Sequence, residues 1–183
     1  MGIQLSGARC EEIKRTVVSF FEQYDVACVP ICGLEIAVKM GVSVVPYSAK
    51  PESTRLLMLK ESEDGFTAED GKDNLFIFYN EKKGYGRINN TIMHEIGHIV
   101  LDHSEGSELA EVEARFFAKY ALAPPPLIHK LRLQNPVQIA DIFDISQEAA
   151  RYAYQYYQKW LQFGSSQYTE YENRMLRLFK DVG

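Results

Sequence analysis

The sequence predicts an α+β fold, mostly helical, with a small three- to four-stranded sheet packed on one central helix and a C-terminal helical segment after it. Three observations carry this expectation. Apolar residues recur at helical spacing near the start of the chain and again from about residue 87 onward. Between them lie short β-branched and aromatic blocks cut by glycine and acidic turns. No proline falls between Arg87 and His103, so nothing interrupts the central helix.

Taken in order, residues 9–24 place Ile13, Val17, Phe20, Phe21 and Tyr24 on one helical face, and residues 31–40 give a second helix ended by Gly41. Strands are expected at 42–47, 55–60, 65–68 and 75–79, with the acidic run from Glu61 to Asp73 reading as a solvated loop around the third of them. In the central helix, Ile92, Ile96, Ile99 and His103 step by four, three and four. Gly97 inside it costs about 1 kcal/mol relative to alanine and so marks a close backbone approach. Residues 107–122 form the next helix, stopped by Pro124, Pro125 and Pro126. From Val137 to Trp160 the pattern resembles a helix-turn-helix with Ser146 capping its second helix, and a last helix covers about 168–180. The expected organisation is a main domain over 1–133 and a C-terminal helical segment over 134–183.

The central helix carries His-Glu-x-x-His. Residues four apart share a helix face, so His94 and His98 can offer their imidazoles to one ion, and Glu95 sits at the edge of that face. Two neutral nitrogens to hold a metal and a carboxylate to take a proton from its water make a hydrolytic zinc site. A catalytic zinc wants a third protein ligand. In the helix 107–122, Leu109, Glu113, Phe116 and Tyr120 share a stripe flanked by Val112 and Phe117, so Glu113 lies on the apolar side, while Glu108, Glu111, Arg115 and Lys119 lie on the hydrated side. A carboxylate facing a core needs a partner, either a metal or a buried arginine. Metal ligation is the reading adopted for Glu113, because its helix follows the first by a short polar turn and can fold back on it. Asp102, one turn beyond His98, could take a hydrogen bond from that ring's other nitrogen, or simply be solvated. For an oxyanion donor, His103, His129 and several tyrosines all stay open.

The blocks His-Glu-Ile-Gly-His-Ile-Val-Leu, Glu-Val-Glu-Ala-Arg-Phe-Phe-Ala and Ala-Pro-Pro-Pro-Leu-Ile, with Arg87 and Thr91 ahead of the first histidine, resemble the successive blocks of the ImmA/IrrE family of bacterial zinc metallopeptidases. The resemblance runs from about Ile13 to about Tyr157 and is strongest between Arg87 and Ile128. It implies a zincin-like fold, one Zn2+ held by His94, His98 and Glu113, and Glu95 as catalytic base. It also implies a protein substrate: a helix-turn-helix repressor or antitoxin-like partner, often encoded nearby on mobile elements. The thermolysin-like group carries an acid four residues after the ligand glutamate where this chain has Phe117, which leaves the support of the metal unassigned. In such proteins the strand before the metal helix lies at the sheet edge, and a substrate peptide adds to it as a further strand. Leu75, Phe76, Ile77, Phe78 and Tyr79 are therefore the expected substrate-binding strand.

Composition narrows the alternatives. A net charge of −5 over 183 residues argues against a general nucleic-acid binder. The segment 137–160 opens its second helix with Gln147 and Glu148 and offers only Arg151, which disfavours a DNA-binding regulator. Tyr152, Tyr156 and Trp160 read as core or as a dimer contact, which leaves a homo-oligomer open. Three cysteines, no secretory signal and no long apolar run suit a cytoplasmic protein without a membrane partner. The remaining alternative to an enzyme is a regulator that keeps the metal fold and does little proteolysis; the intact Glu95 favours the enzyme.

Overall fold

The computed structural model describes residues 3–103, 106–164 and 167–183. Its first helix, α1 (Gly7–Gln23), starts where the Ser6 hydroxyl accepts the Arg9 N–H, and it buries Ile13, Val17, Val18, Phe20 and Phe21. A short α2 (Gly33–Lys39) follows. The buried Asn89 fixes it by accepting from the Gly33 N–H at 2.6 Å and donating to the Ile31 carbonyl at 2.9 Å.

The sheet has three strands, β1 (Ser43–Pro46), β2 (Gly65–Glu69) and β3 (Leu75–Tyr79), in the order β1-β3-β2. β1 runs parallel to β3 and β2 antiparallel to it. Alternation along β3 divides the packing: Ile77 joins the main core, while Phe76 and Phe78 join a second, smaller cluster with Tyr47, Met58, Val45 and Phe66. Residues 55–60, expected as a strand, instead belong to α3 (Glu52–Glu61). Arg-Leu-Leu-Met-Leu-Lys has no β-branched residue and consists of good helix formers, with Glu52 in the first turn and Lys60 in the last to match the helix dipole.

The central helix is α4 (Tyr85–Val100), and α5 (Glu108–Leu122), capped by Ser107, folds back against it. Gly97 stands at a close approach of the two. A Cβ there would meet Phe117 Cδ1 at 3.1 Å and the Ala114 carbonyl oxygen at 3.2 Å. Gly65 plays the same part for the sheet, since a Cβ there would lie 2.6 Å from the Phe78 carbonyl oxygen and 2.7 Å from Thr91 Cγ2.

The remaining helices are α6 (Pro125–Lys130), α7 (Pro136–Phe143), α8 (Gln147–Phe163) and α9 (Glu170–Leu178). Ser146 caps α8 by accepting the Ala149 N–H, and α9 opens with a reciprocal Thr169–Glu172 capping box. Ile139, Phe143, Ala150, Met175 and Phe179 enter the same core as Ile13, Phe21 and Phe117. Trp160 donates its indole N–H to Glu172 at 2.6 Å and stacks on Tyr157 and Tyr168, whereas Tyr152 is exposed. No described helix is long and apolar enough to cross a membrane.

The two glycines predict an order of damage. Gly65→Ala drives a Cβ onto an immovable backbone oxygen and is expected to cost about 1–3 kcal/mol. In Gly97→Ala the crowding is milder and is offset by the helix propensity of alanine, about 1 kcal/mol. Urea unfolding of both variants should rank Gly65→Ala as clearly the less stable; the reverse order contradicts this packing.

Candidate metal centre and active-site cleft

A cleft of about 1010 Å³ opens between β2, the face of α4 that carries the histidines, and the start of α5. The acidic stretch read as a solvated loop supplies much of its wall, with Glu61, Asp64, Glu69 and Asp73 lining it. His94 and His98, one turn apart on α4, turn their Nε2 atoms toward each other at 3.1 Å. The Glu111 carboxylate closes the triangle, one oxygen 3.3 Å from His94 Nε2 and the other 3.2 Å from His98 Nε2. A tetrahedral zinc bonded at its usual lengths sets its ligand atoms about 3.3 Å apart, so the three side chains fit such an ion. Their chemistry agrees. Burial pushes the basicity of both imidazoles down, which keeps them neutral and able to ligate.

The third member of the group is Glu111, where the sequence points to Glu113. The structure does not bring Glu113 to the histidine pair. Its buried carboxylate is gripped by Arg9, Nε to Oε1 and Nη2 to Oε2 at 2.7 Å each, and lies 3.0 Å from His103 Nε2. Arg9 holds it well into its ionised range against the opposing effect of burial. The requirement for a partner was sound, but the partner is an arginine 104 residues earlier. Glu111 reads as hydrated because it does face water: its side chain is 48% exposed, toward an open cleft.

Asp102 does not meet His98 either. It is exposed and takes the left-handed conformation at φ 55° that ends α4, with its N–H on the Ile99 carbonyl and the next N–H, that of His103, on the His98 carbonyl. This turn swings the His103 ring back, and it is His103 Nδ1 that lies 3.0 Å from His98 Nδ1. His129, the other histidine weighed as an oxyanion donor, is 2.9 Å from the Tyr157 hydroxyl and does not line the cleft.

Glu95 is buried, and burial raises its affinity for a proton while the hydrogen bonds from Thr67 oppose that shift. The Thr67 hydroxyl donates to its Oε2 at 2.8 Å, and the Thr67 backbone N–H faces the same carboxylate. Thr67 belongs to β2, and here the expected substrate strand is corrected. Leu75, Phe76, Ile77, Phe78 and Tyr79 form the middle strand, paired on both sides, so β3 has no free edge. The free edge on the cleft is that of β2. The Asn80 N–H bonds to the Asp64 carbonyl at 2.8 Å and the Asp70 N–H to the Asn74 carbonyl at 3.0 Å. With antiparallel alternation, the backbone groups of Thr67 and Glu69 then point away from β3. The two residues noted ahead of the motif brace this strand: Arg87 binds Asp64 through two 2.7 Å contacts, and Thr91 abuts Gly65.

A peptidase family model, Peptidase_M78, described as an IrrE N-terminal-like domain, matches residues 38–154. The chain belongs to this family. The match takes in the sheet, the histidine helix, Glu111 and the helix-turn-helix-like segment, and stops short of α1 with Arg9. Membership carries a metallopeptidase type of function and, with it, a protein substrate. No curated protein matches the chain.

Three outcomes follow for a zinc titration against a competing chromophoric chelator. Glu111→Ala should weaken binding by more than about 100-fold, beyond what loss of an outer partner costs, while Asp102→Gly should leave it unchanged. Because burial holds His94 and His98 neutral to lower pH than a free imidazole, protons should compete with zinc only below the ordinary histidine range. An affinity that already falls through neutral pH contradicts the burial argument.

Proposed function

We propose that the chain is a zinc-dependent metallopeptidase that hydrolyses a peptide bond in a specific regulatory protein. The observation that carries this reading is the meeting of the His94–His98–Glu111 triangle and the Thr67-held Glu95 beside a free strand edge in one cleft. Zinc, when bound, supplies Lewis acidity for the scissile carbonyl and lowers the pKa of a water. Glu95 takes the proton of the attacking water on its carboxylate and hands it to the departing amine nitrogen. The Thr67 hydroxyl pins Oε2 and so fixes the orientation of the carboxylate. The proton-holding tendency that burial gives Glu95 suits the return step.

An extended peptide added to β2 would use the outward carbonyl of Thr67 and the backbone of Glu69, which brings its own backbone alongside the triangle. Following the resemblance to ImmA/IrrE proteins, the substrate is a helix-turn-helix repressor or antitoxin-like partner. The three cysteines, none of them in a disulfide, suit work in the cytoplasm.

Purified wild type and Glu95→Gln, each loaded with zinc and mixed with a helix-turn-helix repressor encoded beside the gene, test this reading. Both should hold one zinc, and Glu95→Gln should cleave about 10²–10⁴-fold more slowly. Equal rates for the two proteins would remove Glu95 from the chemistry. Zinc uptake with an intact repressor in both would favour a regulator that binds without cutting.

A further inference from the structure

A line of hydrogen bonds runs from the candidate metal centre to the first helix. His98 turns Nε2 toward His94 and Glu111, and Nδ1 toward His103 Nδ1 at 3.0 Å. His103 Nε2 lies 3.0 Å from Glu113 Oε2, and Arg9 on α1 takes both oxygens of that carboxylate. The inner members are shielded from water: the side chains of His103 and Glu113 are 10% and 8% exposed.

If His98 ligates through Nε2, the protons along this line can be placed in only one order. A neutral imidazole that gives Nε2 to a metal carries its hydrogen on Nδ1, so His98 donates and His103 Nδ1 accepts. His103 then holds its hydrogen on Nε2 and donates it to Glu113, which as a carboxylate only accepts. The planar guanidinium of Arg9 fills the other lone pairs of Glu113 in a fork, which fixes the plane of the carboxylate. Each member thus sets the ring plane or tautomer of the one before it. The chain-reversing turn at Asp102 makes the line possible, since it returns His103 to the ring it follows by five residues.

We propose that His103, Glu113 and Arg9 are positioning residues that lock the tautomer and orientation of His98 for metal binding, so that α1 is a working part of the metal centre although the family match excludes it. The proposal rests on the reading of His94, His98 and Glu111 as the ligands. It gives Glu113 a role at the centre without direct ligation, and it supplies a carboxylate in support of the metal where the position four residues after Glu111 holds Arg115.

Cobalt binding to the full-length chain tests it, with three readouts: cobalt affinity, the visible absorption of the bound ion, and the melting temperature of the metal-free protein. His103→Phe should weaken cobalt binding by about 10–100-fold and shift the absorption bands, because the His98 ring loses its anchor. Arg9→Met should change both in the same direction by less, and Arg9→Lys should recover part of the loss. A purely structural role would lower the melting temperature and leave affinity and bands untouched, and that result overturns the relay. If His103→Phe does not accumulate, the two Arg9 variants carry the same decision, since that side chain is 36% exposed. Wild type that takes up no cobalt overturns instead the ligand assignment beneath the proposal.

Discussion

The close approach of α4 and α5 at Gly97 is the constraint on which the site depends. Ligand atoms on different helices can share an ion only if the helices come near enough for short side chains to meet. The absent side chain at Gly97 lets Ala114 and Phe117 press against α4. That contact sets Glu111 opposite the His94–His98 face and Glu113 on the far side of the same turn. The free energy lost to glycine in a helix interior, about 1 kcal/mol, is exchanged for this geometry.

A second contact of the same kind governs the cleft wall. β2 can lie against α4 because Gly65 leaves room for Thr91, and the Arg87–Asp64 pair ties the start of the strand to the start of the helix. Thr67 then reaches Glu95. The motif glutamate is therefore oriented by a strand residue 28 positions earlier, and the free edge of that strand faces the same carboxylate. Glu95, the His94–His98–Glu111 group and the free edge of β2 are brought together by two glycine contacts and one ion pair.

What the sequence made legible was local. Helical spacing places His94 and His98 on one face with Glu95 at its edge, proline and cap residues bound the helices, and Gly97 signals a close approach, because each of these signals lies within a few residues of its effect. Where the structure departs from the sequence reading of Glu113, the cause is that partners far apart in the chain leave no periodic trace. Glu113 on an apolar stripe demanded a partner, and nothing in the spacing identifies Arg9. Glu111 on a polar stripe looks like a solvated charge, because a side chain at the mouth of a cleft faces water just as a solvated residue does. The sequence points to β3 as the edge strand because the strand before the metal helix lies there in the proteins it resembles, whereas in this chain β1 and β2 take both of its edges. Residues 55–60 depart for a different reason: their unbroken run of leucine and methionine has no period to distinguish strand from helix, and the absence of β-branched side chains, which favours helix, has to decide.

Anomalous diffraction at the zinc edge, from crystals grown with zinc, tests the assignment of His94, His98 and Glu111 most directly. One strong peak is expected within about 2.0–2.2 Å of His94 Nε2, His98 Nε2 and a Glu111 oxygen, with Glu113 still held by Arg9 and His103. A peak ligated by Glu113, or no peak between α4 and α5, would contradict it.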